Sequence, residues 1–486
     1  MFLYLIELYF LGTLLFTLLS EDLPAAIRSV GGILLGFLVY VLNGMVLIGV
    51  GIGLTLTSIV ISTTLELVIV LICYLSGGSS KKLFHKKTIG TILGVGAIYL
   101  TVVSFFYTFN LSFVTNDSLY LILMGKDLVQ SGFAEWYYAS PANMGIYMGV
   151  IQTLGQLFGL DYVWFIQPVF SLILVAALVY FGYRSTSRYI HKKWISALLV
   201  IGAILVFETA NMPHIMLTYI HTNLTSGLFL FLTVLSLYYA IEEDNEGWLV
   251  LSGFALISFG LMRIENVIVA LTLIFFYLAS GKLTRKQSSF TFIPYLIIQG
   301  IWYFSVYLMD INTFLSSMNK IQILLTSLAC FAMIAIILFS RWQFLRRILD
   351  WAGKIFPFFL LLVWTILGIL NPSSYVTNLR SLGSALFLTG NWGSFWYIMI
   401  FFFLISLFLS RFPQKRILLR FMVSFVAIVE ILGFFRVPYH EWWTDSANRM
   451  MIHIAPLVVF FIVTQVASLA SRSRMFSGDE DMEEIA

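Results

Sequence analysis

The sequence predicts an all-α polytopic membrane protein. Apolar residues make up 60% of its 486 positions and charged residues only 11%. Mean hydropathy is +0.94. Apolar runs near the ~20 residues that a helix needs to cross hydrocarbon recur from end to end. A water-soluble chain of this length would need far more charge to cover its surface. Alternating strands of about ten residues are absent, which excludes an outer-membrane barrel.

The orientation of the helices follows from where Lys and Arg fall, because these residues collect in cytoplasmic loops. Basic clusters recur at Lys81–Lys87, Arg184–Lys193, Lys282–Lys286, Arg341–Arg347, Arg411–Arg420 and Arg472–Arg474. With all of them inside, each neighbouring pair must be separated by an even number of crossings, and the apolar runs supply that number. Three spans precede Lys81, with the N-terminus outside and Arg28 inside. The first of them, MFLYLIELYF, has no Lys or Arg and no good cleavage site, and reads as a retained span. Then come spans near 89–109 and 163–183, with residues 110–160 between them as one long external loop. Further spans near 195–209, 219–240, 248–261 and 265–281 put Arg263-Ile264-Glu265 at an outer turn. The last three pairs enclose Met309–Lys320, Asn371–Trp392 and Arg436–Arg449. The total is about fifteen, at ~20 residues per full span.

The formal charge of +4 does not support a nucleic-acid partner. The two cysteines, Cys73 and Cys330, lie in apolar runs and read as packing residues. The tail Gly478–Ala486 (GDEDMEEIA) is acidic and reads as a cytoplasmic end. The chain therefore divides into extra N-terminal transmembrane helices (1–80), a transmembrane core (81–475) and the tail (476–486).

This topology sorts the polar residues. Cytoplasmic loops hold mainly Lys and Arg, whereas the external side gathers carboxylates, imidazoles and guanidiniums. Asn116, Asp117, Lys126, Glu135, Glu208, His214, His221, Arg263, Glu265, Arg436, Asp445, Arg449 and His453 belong to this set. Spread along the chain, they converge only in a fold, as a site at the outer membrane surface requires. The stretch Val114–Gly132 organises the set. An amphipathic helix is expected over Ser118–Gln130, with Leu119, Ile122, Leu123 and Val129 on its apolar face and Gly132 as its stop. Asp117, just ahead of it, can cap the helix, act as a catalytic base, or do both. Arg263 and Glu265 either pair with each other at a tight turn or contact substrate directly. Arg449 and His453, four apart, share a helix face at the mouth of the last span, where an Arg suits a phosphate and can hold it bidentately. Glu7, Glu66 and Glu430 read as interior polar contacts.

Several of these residues resemble a family. An acidic residue in a long first external loop is followed by a short interfacial helix. A small-residue segment ending in LFG and a span with a basic end come next (SPANMGIYMGVIQTLGQLFGLDYVWFIQPVFSLILVAALVYFGYRSTSRYI). This order is similar to that of the GT-C superfamily of membrane glycosyltransferases, as in protein mannosyltransferases and aminoarabinose transferases. GLMRIENVIVA is like the family's Arg-x-Glu turn, and SANRMMIHIAPL like its Arg-bearing late span. The first three spans are additions to that pattern, and Asn116-Asp117 stands where many relatives have a more acidic pair. The resemblance implies a GT-C-like bundle whose long first core external loop bears interfacial helices. It also implies a polyprenyl-phosphate-linked sugar donor, a glycan, lipid or protein acceptor, and inverting transfer at the outer face of the cell membrane.

On this reading Asp117 is the base and Glu208 a second catalytic residue. Asn116, Lys126, His214, Arg263, Glu265, Arg436, Asp445, Arg449 and His453 contact substrate. No metal and no other cofactor is expected, because a guanidinium can meet the leaving phosphate. The N-terminal helices are candidates for contact with an oligomer partner or another subunit. The competing expectations are a multi-pass lipid or polysaccharide transporter or flippase, a membrane polysaccharide polymerase or ligase, and a structural membrane subunit. A transporter predicts charges buried mid-span and broken helices.

Overall fold

Long apolar runs become helices because hydrocarbon offers no partner to a free backbone N–H or C=O. A computed structural model describes residues 1–76, 86–130, 145–308, 319–409, 414–435, 439 and 445–471. Among these no strand forms, and the extended pairing is a single parallel bridge between Phe113 and Tyr219. The helices, in order, are α1 (Phe2–Leu19), α2 (Ala25–Gly49), α3 (Leu56–Ser76), α4 (Lys86–Thr108), α5 (Asn116–Gln130), α6 (Ile146–Leu157) and α7 (Ile166–Thr186). They continue with α8 (Lys193–Glu208), α9 (Asn211–Thr218), α10 (Thr222–Glu243), α11 (Gly247–Met262), α12 (Asn266–Ser280) and α13 (Arg285–Leu308). The last are α14 (Lys320–Phe339), α15 (Gln343–Leu370), α16 (Pro372–Ser384), α17 (Phe395–Leu409), α18 (Lys415–Phe435) and α19 (Ser446–Ala470).

Eleven of these helices are long and apolar enough to cross a membrane, and α8 with α9, bent by 80°, makes a twelfth. The other three expected spans are the shorter apolar helices α11, α12 and α17. A helix of 16 residues such as α11 rises only about 24 Å, against a hydrocarbon core of ~30 Å. The polytopic all-α class is thus found, with span positions close to those expected, while three spans fall short of full length.

The chain folds as two compact units. One comprises Met1–Phe170, Thr218–Ile274 and Gly281–Arg346, and the other Ser171–Leu217, Phe275–Ser280 and Arg347–Ala486. The first three spans belong to the same unit as α5 and α10. In that unit α10 is the buried axis, with 94% of its most apolar window inside the protein. Helix α11 runs back along it, Ser252 Oγ donating to Thr233 O at 3.2 Å. Helix α13 runs parallel to α11, since Gly253 faces Thr291, Gly260 faces Tyr295, and Tyr303 bonds Ile264 O at 2.9 Å. Helix α12, which connects them in the chain, must therefore run in the opposite direction, as the alternation of basic loops requires.

Helices α1 and α2 cross at glycines. A Cβ on Gly12 would lie 2.0 Å from Gly32 O, and one on Gly36 would lie 2.2 Å from Leu8 O. Gly32 and Gly36 form a small-xxx-small stripe of the kind that lets two membrane helices touch through their backbones.

Helix α5 buries a different face from the expected one. Ser118, Leu121, Met124, Gly125 and Leu128 are buried, whereas Leu119 and Leu123 are exposed. The reason is contact with α6, where Cβ atoms on Gly125 and Gly149 would collide with Gln152 and Met124. The small residue, not the strongest apolar stripe, selects the face. Helix α6 is itself buried over Ile146–Gly155. Gly132 and Glu135 fall outside the described residues.

The second unit is built around α19, which is also 94% buried. Helices α3 and α15 instead present many exposed apolar residues, among them Leu65, Ile72, Phe358 and Leu362, as a lipid-facing surface does. Cys330 packs inside, but Cys73 lies on the exposed side of α3. Glu7 accepts from Thr63 and Thr64 at 3.1 and 2.8 Å, and Glu66 from Asn43 at 2.8 Å, polar contacts that are half-buried to exposed and not interior.

Candidate active site

Helices α5 and α10 start side by side because the extended residues ahead of each are stitched together. Phe113 N donates to Thr218 O at 2.9 Å, and Ile220 N to Phe113 O at 3.2 Å. Ser118 Oγ donates to Ile220 O at 2.8 Å, and the Thr115 and Tyr219 hydroxyls lie 2.6 Å apart. Thr115 immediately precedes α5, and its N–H donates to Ser118 Oγ three residues on, at 3.1 Å, the reciprocal half of a capping box. Asp117 therefore sits within the first turn of α5 and not at its cap. Its charge still complements the positive end of the helix dipole.

The Asp117 carboxylate faces the start of α10. Tyr219 OH donates to its Oδ2 at 3.4 Å, and His221 Nε2 lies 3.6 Å from the same oxygen. The imidazole is orientated from behind. His221 is the cap of α10, and its Nδ1 accepts from Asn223 N at 3.3 Å and from Asn223 Nδ2 at 2.8 Å. Both partners can only donate, so Nδ1 is unprotonated and the ring proton of neutral His221 is on Nε2, towards Asp117.

The orientation of the Asn223 amide is set in turn by Arg263, whose Nη1 donates to Asn223 Oδ1 at 3.2 Å and to Thr222 Oγ1 at 3.3 Å. Arg263 also holds Glu265 Oε1 through Nε at 2.7 Å and Nη2 at 2.6 Å. One directional chain thus runs from Glu265 through Arg263, Asn223 and His221 to Asp117. Side-chain exposure is 34% at Asp117 but 1% at His221. The inner groups are screened from water while the outermost carboxylate reaches it. A half-exposed anion backed by donors on a rigid support can accept a proton from a bound hydroxyl.

The chain gathers fewer of the expected residues than the sequence grouped. Asn116, next to Asp117, and Lys126, about two and a half turns further along, are both exposed on α5, and the helix separates Lys126 from Asp117. Arg263 and Glu265 lie at 3 and 4% exposure and pair with each other at the turn between α11 and α12.

The remaining candidates belong to the second unit. Glu208 ends α8 at the 80° bend, half-buried, and His214 is exposed on α9. Asp445 caps α19, accepting from Ala447 N at 2.8 Å. Arg449 is half-buried one turn on. His453 is fully buried, 6.4 Å from the Phe425 ring, and does not open on an aqueous mouth as expected. The packing of α18 against α19 covers it. Asn448 accepts from Trp392 Nε1 at 2.5 Å and donates to Gly390 O at 3.1 Å, tying the loop before α17 to the start of α19. Arg436 lies outside the described residues.

Sequence reasoning missed Thr115, Tyr219 and Asn223, and gave His221 no role. A signal was present, since His221-Thr222-Asn223 opens α10 as Thr115-Asn116-Asp117 opens α5. Two cap-type clusters ahead of apolar runs mark two helix starts, but not that these starts meet. No protein-family model, no curated protein and no solved structure matches this chain.

Proposed function

We propose that the protein is a membrane glycosyltransferase that uses a polyprenyl-phosphate-linked sugar and works at the outer face of the membrane. One observation carries the reading. A half-exposed Asp117 carboxylate stands at the joined starts of α5 and α10, held by Tyr219 and by a His221 whose proton is directed at it. The acceptor hydroxyl attacks the anomeric carbon from the face opposite the phosphate, so a new C–O bond forms with inversion. The bond to the phosphate breaks, and polyprenyl phosphate leaves with the electron pair. Asp117 takes the hydroxyl proton and passes it to water. Arg449, with Arg436, is assigned to the leaving phosphate by residue type, since guanidinium binds it bidentately. Glu208 and His214 are assigned to substrate orientation.

The test is release of polyprenyl phosphate from a panel of polyprenyl-phosphate hexoses by the purified protein. Asp117→Asn should lower the rate by about 10²–10⁴-fold at unchanged expression, the usual worth of a general base. Wild-type turnover in that variant would sink the assignment.

A transporter is the second reading, favoured by the 80° break between α8 and α9 beside Glu208. Broken spans next to charge are the transporter signature. Movement of labelled lipid-linked sugar across proteoliposomes without release of polyprenyl phosphate would select it.

A further inference from the structure

The second unit contains a cavity of about 340 Å³ whose wall is aliphatic, aromatic and methionine side chains from α15, α17, α18 and α19. That volume falls in the ~300–1,000 Å³ range of small-molecule sites. Its rim includes Leu361, Ile400 and Val426, each more than a third exposed, so it opens sideways on a surface that would face lipid.

Glu430 is the one ionisable residue in the lining. It is 4% exposed, and neither of its carboxyl oxygens makes a hydrogen bond. The Trp364 indole faces this carboxyl without reaching bonding geometry, and the Nε1 atoms of both Trp364 and Trp396 have no partner. Three buried polar groups left unsatisfied in the wall of one cavity are costly, and native proteins rarely tolerate them without a partner.

Their chemistry specifies the missing partner. Indole N–H can only donate, and Glu430 in either protonation form offers an acceptor oxygen. A hydroxyl matches both, donating to Glu430 and accepting from an indole. A phosphate does not match, because no cation in the lining would meet its charge.

Position agrees with a lipid occupant. Glu430 lies five residues before the end of α18 and Trp396 is the second residue of α17. On the topology given by the basic clusters, both lie in the outer-leaflet half. We propose that this cavity binds the chain and terminal hydroxyl of a neutral, single-chain lipid alcohol, which enters laterally from the outer leaflet. Binding of the alcohol does not depend on the chemistry proposed for Asp117.

Photolabelling of the full-length protein in phosphatidylcholine nanodiscs tests this. The probe is a diazirine-bearing hexadecanol, with its phosphate monoester as the comparison. The alcohol should label the α17–α19 peptides and be displaced by unlabelled hexadecanol. Glu430→Leu should lower that labelling about tenfold, the order expected for one buried hydrogen bond. Met451→Trp, which fills the cavity and leaves the polar groups in place, should lower it to a similar extent. Thermal unfolding identifies variants that fold. Equal labelling by the phosphate probe, labelling spread evenly over all lipid-facing helices, or full labelling of folded Glu430→Leu would each overturn the proposal.

Discussion

Arg263 and Glu265 show how a residue's worth depends on what surrounds it. Each is almost fully buried, and their contact at 2.6–2.7 Å exists inside the first unit. Removing one partner leaves the other charge uncompensated, whereas replacing both with apolar side chains removes the desolvation problem altogether. Arg263→Met should therefore lower stability by about 3–5 kcal/mol, and Arg263→Met with Glu265→Met should recover most of it. Thermal unfolding in detergent measures both. If the pair also sets the Asn223 amide, the double variant, although folded, should still lose rate. Asn223→Leu should lose a similar amount, because His221 is then free to put its proton on Nδ1. Wild-type rates in both folded variants would refute the positioning role. The sequence showed that Arg263 and Glu265 were close to each other, since they are two residues apart. It did not show that Asn223, forty residues earlier, would stand between them and Asp117.

Glycines decide how the helices meet. Gly12, Gly32 and Gly36 let α1 and α2 approach through their backbones, and Gly125 and Gly149 do the same for α5 and α6. Gly36→Leu should separate α1 from α2, because a Cβ there already meets Leu8 O at 2.2 Å. The expected result is a loss of several kcal/mol, in the range of severe overpacking, read as a fall in the unfolding midpoint. Gly49→Leu, with nothing within 4 Å of its Cβ, should be silent. The two α5 faces show why helix faces were only partly legible. Apolar periodicity separates soluble surfaces from cores, but a helix that also meets lipid is apolar on both sides, and the small residue then chooses the packed face. Leu119, Leu123 and Gly125 illustrate this.

At the scale of the whole molecule, the alternation of basic loops yields a direct prediction. In a variant lacking Cys73 and Cys330, Lys126→Cys on the exposed side of α5 should react with an impermeant maleimide from outside intact cells. Asp350→Cys, near the start of α15, should react only after permeabilisation. The reverse pattern would invert the topology and move Asp117 to the cytoplasmic side. The all-helical membrane class, the positions of nearly all apolar helices and the polar stretch that begins α5 were legible in the residues alone. These depend on local quantities, namely apolar run length and the placement of Lys and Arg, which are legible without knowledge of any neighbour. That α5 and α10 begin together, that His221 and Tyr219 hold Asp117, and that Glu430 borders a cavity emerges from the packing of the helices. Each of these joins residues distant in the chain through steric fit and donor–acceptor geometry, and such pairings exist only once the helices have packed.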